Sequence, residues 1–567
     1  MAAQSPPIST STARYHDFQQ QRPAEARRDR EEGFDRTLLA EDGTVLYLDD
    51  WGALFREIVK YNDVPLLKKY LAKFNPLLLM EPDHRDPPFW IAAAYGNIDT
   101  FRLLLEYCNI RHPPKIETLY EQGQIVLNCA CRGGRVEMVR FLLNNQPPFG
   151  DLQGKEPNNT TCLLQAAQSF TCWTFISNDN ERLARRDYLA QCEELMQFLL
   201  DRGACARDET AAFTLNPNPQ PLQPRDTVLS LAIAKASPGL IKRLINEGAD
   251  VHGKKMHLFC NHSFDRDSPI WDVTTLHIGS LYWNTEGIQA LFDGRDNDID
   301  VADMVLCRDT SERLPLHWAA QGPHLFEREN MFYKDDIVLH ATSTLKLLLA
   351  SNPGTINAQD NCGETALHCV IQSFKFCNDK CSDIVEFLCQ NGADASLRNK
   401  NGQNPLYYVV HHADKSKPID IASIMSLLTH GANINDTDID GNSVLHFAAR
   451  NLMHIEMVKF LISQGANINT KNSKGNTPLH EAAGGAIYSY EKDRTLEDEK
   501  RVQDEMIKVL QEAGDVNMMD EANVEGKTPR QIRDEKRKEW WGWYEEQRQR
   551  RAGLWKSGIG RGRKLDV

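Results

Sequence analysis

The chain lacks the segments that would place it in a membrane or direct it to secretion. Its 567 residues contain no run of about 18 apolar residues, the length that a membrane-spanning helix needs. The N-terminal stretch MAAQSPPISTSTARYHDF has no apolar core of a secretory signal, although it is rich in Ser and Thr and carries no acid before Asp17, as in transit peptides. The 14 cysteines therefore indicate reduced thiols. We expect an intracellular protein that is cytoplasmic, nuclear or both.

The sequence also lacks the motifs of common enzymes. It contains no phosphate-binding GxxxxGK[ST], no nucleophile elbow GxSxG and no kinase catalytic loop. His480 and Glu481 look like the start of the zinc-protease motif HExxH, but Gly484 stands where the second histidine would be. GIGRGR at Gly558–Arg563 follows no predicted strand, so it does not fit a dinucleotide-binding loop. We therefore expect no enzymatic activity, no cofactor and no metal.

Positive charge is scarce except near the C-terminal end of the chain. The net charge of −14 makes most of the chain unsuited to nucleic acid. Residues 526–567, in contrast, carry 13 Lys and Arg against six Asp and Glu, and they contain Trp540, Trp541, Trp543 and Trp555. We favour a capping helix whose tryptophans cover the end of the fold, followed by a solvated tail. The alternatives are a docking site for a partner and a surface that binds nucleic acid.

What the chain does contain is a recurring tetrad that ends in histidine. The histidine stands at the same place in each of five copies: TTLHIGS (His277), LPLHWAA (His317), TALHCVI (His368), SVLHFAA (His446) and TPLHEAA (His480). One enzyme rarely needs five copies of a catalytic histidine, whereas a repeat protein can use one structural histidine in each repeat. The weaker copies carry Trp90, Asn128, Leu164, Ser230 and Tyr407 at this place. We therefore predict a structural role for the histidines.

A second mark accompanies the strong copies. Each is followed by an amphipathic helix that ends in a Gly, as in IVEFLCQNGAD (Ile384–Asp394) and MVKFLISQGANIN (Met457–Asn469). In the tetrad, Thr begins a helix and Pro fits its first turn, where a missing N–H does no harm. Leu and the small residues after the histidine form a narrow apolar stripe that allows close packing. The Gly supplies the left-handed residue that ends the second helix.

The sequence resembles the ankyrin-repeat family, whose signature is T-P-L-H-x-A with a period of about 33 residues. The resemblance implies an all-α repeat solenoid of helix-turn-helix units joined by β-hairpin loops, with about 10–12 units including caps. In this family the signature histidine braces the loop of its own repeat. We expect helix pairs to begin near residues 53, 87, 125, 161, 227, 274, 314, 365, 404, 443, 477 and 528.

The spacing of these copies predicts the domain organisation. We expect a disordered segment at 1–40, an N-terminal capping repeat at 41–86, degenerate repeats with insertions at 87–226, regular repeats at 227–527, and a capping helix with a basic Trp-rich tail at 528–567. The longer gaps predict insertions at about 168–190, 208–224, 321–340 and 484–503.

Four cysteines, Cys369, Cys377, Cys381 and Cys389, lie close enough in the sequence to suggest a zinc site. The repeat alignment places Cys369 in a first helix and Cys389 in a second helix, both facing the core. Only Cys377 and Cys381 would share a loop. We therefore favour free thiols over a metal.

The resemblance implies a non-enzymatic scaffold or adaptor that binds other proteins, without a membrane and without direct contact to nucleic acid. The alternative is a transcription coregulator that acts through a partner, because the long array with insertions looks like ankyrin proteins of filamentous fungi, some of which serve metabolite gene clusters. We expect partners at the hairpin tips, which we predict to face water and whose charges alternate in sign from one tip to the next. The candidate residues are Asp360, Arg398, Lys400, Asp436, Asp438, Asp440, Lys471 and Lys474.

Overall fold

The computed structural model of the chain consists of helix pairs in sequence, with little sheet. It divides into two compact units, residues 1–300 and residues 301–567. The structure describes residues 14–19, 37–47, 51–73, 87–111, 113–156, 159–171, 179–210, 226–258, 269–295, 299–323, 336–374, 378–411, 420–486, 495–514 and 518–556.

The first unit contains helices of very different length and two short hairpins. Its helices are α1 (Trp51–Lys60), α2 (Val64–Lys73), α3 (Pro88–Tyr95), α4 (Ile98–Arg111), α5 (Pro113–Glu121), α6 (Gly123–Arg132), α7 (Val136–Asn144), α8 (Cys162–Gln168), α9 (Asp179–Asp201), α10 (Val228–Ala232), α11 (Pro238–Asn246), α12 (Thr275–Leu281) and α13 (Thr285–Asp293). Strands β1 (Thr37–Leu39) and β2 (Val45–Tyr47) form one antiparallel hairpin, and β3 (Lys254–Leu258) and β4 (Pro269–Thr274) form the other.

The second unit repeats its helix pairs more regularly. Its helices are α14 (Val301–Val305), α15 (Pro315–Gln321), α16 (Ile337–Ser351), α17 (Ala366–Phe374), α18 (Asn378–Gln390), α19 (Pro405–His411), α20 (Ile421–Thr429), α21 (Val444–Arg450), α22 (Ile455–Ser463), α23 (Pro478–Ala483), α24 (Leu496–Glu512) and α25 (Pro529–Lys556).

The predicted fold class is confirmed by this architecture. First helices begin at residues 51, 88, 123, 162, 228, 275, 315, 366, 405, 444, 478 and 529, within two residues of the positions expected from the tetrads. Each first helix packs on its second helix and on a neighbouring first helix, as α21 packs on α22 and α23. The repeat therefore buries its apolar stripe against its neighbours, as a solenoid requires.

One regular repeat shows why these residues form a helix pair. In α21, Leu445, Ala448 and Ala449 are completely buried, so the small residues of the tetrad lie where first helices meet. In α22, Val458 and Leu461 are completely buried one turn apart on the opposing face. Together they form a narrow apolar seam, which the alternating large and small side chains fill without a central core.

The described part of residues 1–40 departs from the disorder that we expected there. Tyr15 is completely buried, and its hydroxyl donates to Asp63 (3.0 Å) in the turn between α1 and α2. Strand β1 lies over α2, where Lys69 donates to the carbonyl of Leu39 (3.0 Å). The prediction of disorder is therefore wrong for residues 14–19 and 37–40, which extend the N-terminal cap. The remainder of residues 1–40 lies outside the described residues.

The expected insertions are shorter than the sequence suggested, because second helices start inside them. Residues 179–190 belong to α9, residues 337–340 to α16 and residues 496–503 to α24. These long second helices break the repeat period without leaving the repeat pattern. Residues 211–225, 324–335 and 487–494 lie outside the described residues. Among the residues that the structure describes, no helix is long and apolar enough to cross a membrane.

The last helix packs on the repeat before it, but Trp541 and Trp543 do not take part in these contacts. Arg537 donates to Gln503 (2.7 Å) and Asp504 (2.6 Å) of α24, and α25 also packs on α23. Trp541 and Trp543 are 61% and 55% exposed. The expectation that the tryptophans cover the end of the array is therefore wrong for these two residues. Trp540 is half-buried, and the side chain of Trp555 lies outside the described residues.

A hairpin-tip ladder as the candidate partner-binding surface

The hairpin tips of the second unit share one five-residue turn. In each tip the N–H of the first residue donates to the carbonyl of the fifth, at 2.9–3.0 Å. The first residue is always Asp or Asn, and the fourth is Gly except in the first tip. The six tips, which we call the tip ladder, are residues 309–313, 360–364, 399–403, 438–442, 472–476 and 523–527.

The Asp or Asn side chain holds each turn together. In the fourth tip, Asp438 Oδ1 accepts the N–H groups of Asp440 (3.0 Å) and Asn442 (2.8 Å). The same two bonds recur at the third and fifth residues of every tip. A short side chain that accepts backbone N–H groups replaces the partners that a turn otherwise lacks. The first position of a tip is therefore structural.

The fourth residue of each tip adopts a left-handed conformation. Gly441 has φ of 78°, and an added Cβ would lie 3.0 Å from Asn472 Cα in the next tip. Only the first tip has a side chain there, at Glu312 (φ 59°). Gly is thus needed both for the turn and for the close approach of neighbouring tips.

Backbone hydrogen bonds join successive tips. The N–H of the second residue donates to the carbonyl of the third residue in the preceding tip, as from Lys400 to Cys362 (2.8 Å) and from Ile439 to Asn401 (3.0 Å). Ser473 donates in this way to Asp440 (2.8 Å). These bonds fix the spacing of the exposed side chains along the ladder.

Three signature histidines, His317, His368 and His446, connect their repeats to the next tip. His446 Nδ1 accepts the N–H of Ser443 (3.0 Å), which begins α21, and Nε2 donates to the carbonyl of Asn476 (3.0 Å) in the following tip. His368 makes the equivalent bonds to Thr365 and Gln403 (both 3.2 Å). The predicted structural role is observed in these contacts, although the histidine braces the next repeat as well as its own.

These contacts fix the protonation of the imidazole. A backbone N–H can only donate and a carbonyl can only accept, so the ring must be neutral, with its proton on Nε2. Burial lowers the pKa of His317 and His368 to about 4 from the ordinary 6.5, and it also lowers the pKa of His446. The array therefore holds neutral imidazoles that the unfolded chain would protonate in mild acid.

Tyrosine takes over the histidine's place in one repeat. The Tyr407 hydroxyl lies 2.7 Å from the carbonyl oxygens of Asp436 and Asn442, which correspond to the carbonyls that His317 reaches in its own next repeat. The ring cannot accept the helix-start N–H, and Asn404 at that helix start accepts the N–H of Leu406 instead (3.1 Å). The sequence marked Tyr407 only as a weak copy, and its chemical equivalence to histidine was missed.

The exposure that we expected for the tip charges is wrong at several residues. Asp360 and Asp438 are buried as the first residues of their tips. Asp360 also accepts from Arg313 (3.2 Å), and the buried Glu364 accepts a short hydrogen bond from Tyr408. These carboxylates are needed by the fold because they satisfy buried donors. The signal that could have identified them is the recurring Asp/Asn-x-x-Gly pattern, as in DIDG at Asp438.

Other candidate charges are paired with one another. Arg398 forms an ion pair with Asp436 (2.5 Å) and donates to the carbonyl of Thr437 (3.3 Å). Lys471 pairs with Glu521 (3.4 Å). The alternation of charge from tip to tip therefore serves partly to join adjacent repeats, an arrangement that the separate tips did not show in the sequence.

Three of the eight candidates remain available. Lys400, Asp440 and Lys474 are exposed, and none of their side chains forms an ion pair with another described residue. Two apolar side chains that the sequence did not single out lie on the same ladder, Ile439 (71% exposed) and Val524 (77% exposed). The available surface is thus smaller than predicted and partly apolar.

The cysteines are placed as predicted where the structure describes them, with one exception. Cys369 is buried in α17 and Cys389 in α18. Cys381 lies in α18 rather than in a loop, and it is also buried. Cys377 lies outside the described residues. Within the described part of the chain, no three His, Cys, Asp or Glu side chains are placed to hold a metal ion.

We predict that removing the signature link lowers stability in proportion to the number of hydrogen bonds removed. His446→Ala leaves the buried N–H of Ser443 without its acceptor, worth about 1–3 kcal/mol, and removes one of two hydrogen bonds to the Asn476 carbonyl, which still accepts from Asn472. Tyr407→Phe keeps the ring and removes only the hydroxyl donor, so its effect should be smaller. Thermal melting followed by circular dichroism measures both. Equal melting temperatures for parent and His446→Ala would contradict the structural role.

We also predict that mild acid destabilises the array. His317 and His368 have folded pKa values of about 4, below the unfolded value of 6.5, so the unfolded state binds more protons between these pH values. The stability that their neutral forms contribute is present above pH 6.5 and is lost as the pH falls towards 4. Urea unfolding at pH 7 and pH 5 should show a lower midpoint at pH 5. His368→Gln should reduce this difference, and an undiminished difference would show that other groups cause it.

Comparison with known proteins agrees with the repeat geometry. The family model of ankyrin repeats in three copies matches residues 55–148, 89–187, 338–438 and 413–490, which together span about half of the chain. The crystal structure of the ankyrin repeat domain of Bcl-3 aligns with a TM-score of 0.33 and 23% identity, over 50% of this chain and 98% of that chain.

Curated relatives match only short parts of their own length. Intracellular phospholipase A2 of Caenorhabditis elegans is 30% identical over 125 residues, which are 21% of this chain and 11% of that protein. Human inversin is 30% identical over 157 residues, 25% of this chain and 14% of inversin. An ankyrin repeat protein of Acanthamoeba polyphaga mimivirus is 26% identical over 178 residues, 29% of this chain and 22% of that protein. The repeated helix pairs, the signature histidines and the family match lead to one conclusion: the chain belongs to the ankyrin-repeat family.

Proposed function

We propose that the chain is a non-enzymatic interaction scaffold and that the tip ladder holds a protein partner. Ankyrin repeats are in general protein-interaction modules. The observation that carries the proposal is the set of side chains that the fold does not use. Lys400, Asp440 and Lys474 are exposed on the ladder without an ion pair among the described residues, and Ile439 lies between them with 71% of its surface exposed.

The geometry of the ladder suits recognition. Backbone bonds between tips hold these side chains at fixed spacing, so little conformational freedom is lost when a partner binds. Charges of alternating sign set the register of a partner and its rate of association more than its raw affinity. The exposed Ile439 side chain offers an apolar anchor at the centre of the charged positions. We therefore infer a partner with an apolar side chain flanked by charges complementary to Lys400, Asp440 and Lys474.

We also propose the domain organisation that the sequence predicted, with regular repeats at 227–527 and a cap with a basic tail at 528–567. The alternative function, a transcription coregulator acting through a partner, rests on the resemblance to fungal ankyrin proteins alone. Strict exclusion of the tagged protein from the nucleus would remove that alternative. The activity named for the phospholipase A2 relative is not proposed, because the match covers 11% of that protein.

Site-specific photo-crosslinking tests where the partner lies. The full chain carries p-benzoylphenylalanine in place of Ile439, and a matched chain carries it in place of Leu339, which is 62% exposed on α16. Crosslinked proteins are recovered from cells and identified by mass spectrometry. We expect one set of proteins at position 439 that is absent at position 339.

Reversing the charges of the three available tip residues tests whether they contribute to binding of the partner. The triple variant Lys400→Glu, Asp440→Lys and Lys474→Glu should reduce crosslinking at position 439, most strongly at low salt, where screening is least. The control triple Arg501→Glu, Glu505→Lys and Lys508→Glu makes the same net change on exposed positions of α24. Identical proteins at positions 439 and 339, or full crosslinking by the tip variant, would show that the ladder is not the interface.

A further inference from the structure

Helix α25 packs along α24 over only part of its length. The described contacts between the two helices include Arg537, which binds Asp504, and Tyr544, whose hydroxyl donates to Glu499 (3.2 Å). The two helices thus run in opposite directions, and α24 begins at Leu496, less than one turn beyond Glu499. Helix α25 continues for 12 residues past Tyr544 to Lys556, about 18 Å. Its distal part therefore extends past the helix on which it packs.

Two tryptophans between Arg537 and Tyr544 face solvent. Trp541 and Trp543 are 61% and 55% exposed, and a Cβ added to Gly542 between them would meet no atom within 4 Å. Glycine inside a helix costs about 1 kcal/mol relative to alanine, and no close neighbour explains it here. Because each residue advances about 100° around a helix, the two indoles lie on nearly opposite sides of α25. Two aromatic surfaces are therefore open to a ligand.

The sequence places a basic stretch after these tryptophans, beyond Glu545 and Glu546. From Gln547 to Lys564 there are seven Lys and Arg and no Asp or Glu, in a chain whose net charge is −14. Arg548 follows Trp541 by seven residues, and Arg550 follows Trp543 by the same interval. Seven residues are close to two turns, so the helix places each arginine on the side of its tryptophan, about 10 Å further along the axis.

We propose that residues 541–556 of α25 bind single-stranded nucleic acid. The exposed indoles would stack on bases, and the following arginines would neutralise phosphates. Each tryptophan with its arginine forms one unit, and the second unit repeats the first on the other side of the helix. A flexible single strand can follow the helix surface from one unit to the other. This inference is independent of the proposed role of the tip ladder.

A membrane surface fits this arrangement less well. A helix that lies in a bilayer interface buries one apolar side and keeps its charges on the other. Trp541 and Trp543 lie on nearly opposite sides, so only one of them could enter the interface. The spacing also places an arginine on the same side as each tryptophan. Aromatic and basic residues are thus mixed around α25 rather than separated.

A protein groove is also less suited to this helix. A helix that docks in a groove presents apolar anchors at i, i+3, i+4 and i+7 on one side. Trp541 is followed at these intervals by Tyr544, whose hydroxyl bonds to Glu499 of α24, and by Glu545 and Arg548. Trp543 is followed by Glu546, Gln547 and Arg550. Neither exposed tryptophan continues into an apolar stripe. The charged and polar residues at these places match a charged, stacking ligand.

Fluorescence anisotropy with the full chain and a labelled 20-nucleotide single-stranded RNA of mixed sequence tests the proposal. Stacking on tryptophan is worth about 1–3 kcal/mol per base, so Trp541→Ala with Trp543→Ala should weaken binding by about 30-fold or more. Replacement of both tryptophans by Phe should restore most of the affinity. Arg548→Gln with Arg550→Gln should reduce the slope of log K against log salt by about 1.4, that is, about 0.7 for each phosphate that is no longer neutralised.

The controls separate stacking from general charge. Ile439→Ala with Val524→Ala removes two similarly exposed apolar side chains elsewhere and should leave RNA binding unchanged. Helical circular dichroism should be unchanged in the tryptophan variants, because both side chains are exposed. A duplex of the same length, polyglutamate and vesicles of phosphatidylcholine with phosphatidylserine serve as competing ligands.

Four outcomes would overturn the proposal. The first is no RNA binding at about 50 mM NaCl, where salt competes little, and the second is RNA binding that the tryptophan variants do not weaken. The third is equal affinity for polyglutamate, which would indicate an acidic protein segment. The fourth is vesicle binding that RNA does not displace. Equal affinity for the duplex would contradict the single-stranded ligand. The proposal would be supported if all competitors bind more weakly than single-stranded RNA and if the alanine variant binds this RNA more weakly than the parent chain.

Discussion

The regular repeats depend on one side chain near the start of the first helix, which in His317, His368, Tyr407 and His446 bonds to a carbonyl of the next tip. In His368 and His446 the imidazole accepts the N–H that starts its own helix and donates to the following repeat. Tyr407 retains only the second of these bonds. The link orders the next tip, whose Asp or Asn closes the turn and whose backbone bonds to its neighbour. Local helix capping and long-range order thus share one side chain.

Much of this could be predicted from the sequence, because the tetrads repeat and each has a direct physical meaning. The starts of the first helices were located within two residues. The burial of Asp438 was not predicted, because an acid in a polar turn looks exposed until its backbone donors are known. The pairing of Arg398 with Asp436 joins residues from different repeats, which local patterns do not reveal. The exposure of Trp541 was not predicted either, because composition alone does not show which side of a helix faces its neighbour.

The fold also separates structural charges from available ones. Buried carboxylates such as Asp360 satisfy backbone donors and neighbouring cations, so they cannot change without loss of stability. The side chains at the second and third positions of a tip point outward. Ile439 and Asp440 show that these positions accept apolar and charged residues alike. A rigid ladder with variable apex residues can therefore present a specific surface without altering the repeat.

Hydrogen exchange at single-residue resolution tests the central claim most directly, namely that the signature side chain and the backbone bonds unite the tips. The N–H groups of Lys400, Ile439 and Ser473 belong to residues with exposed side chains, yet each donates to the preceding tip. In the parent chain we predict that these three N–H groups exchange at least about 100-fold more slowly than in an unstructured peptide. In the Tyr407→Phe variant we predict that the N–H of Ile439 exchanges faster than that of Ser473. Exchange of all three at unstructured rates in the parent chain would contradict this claim.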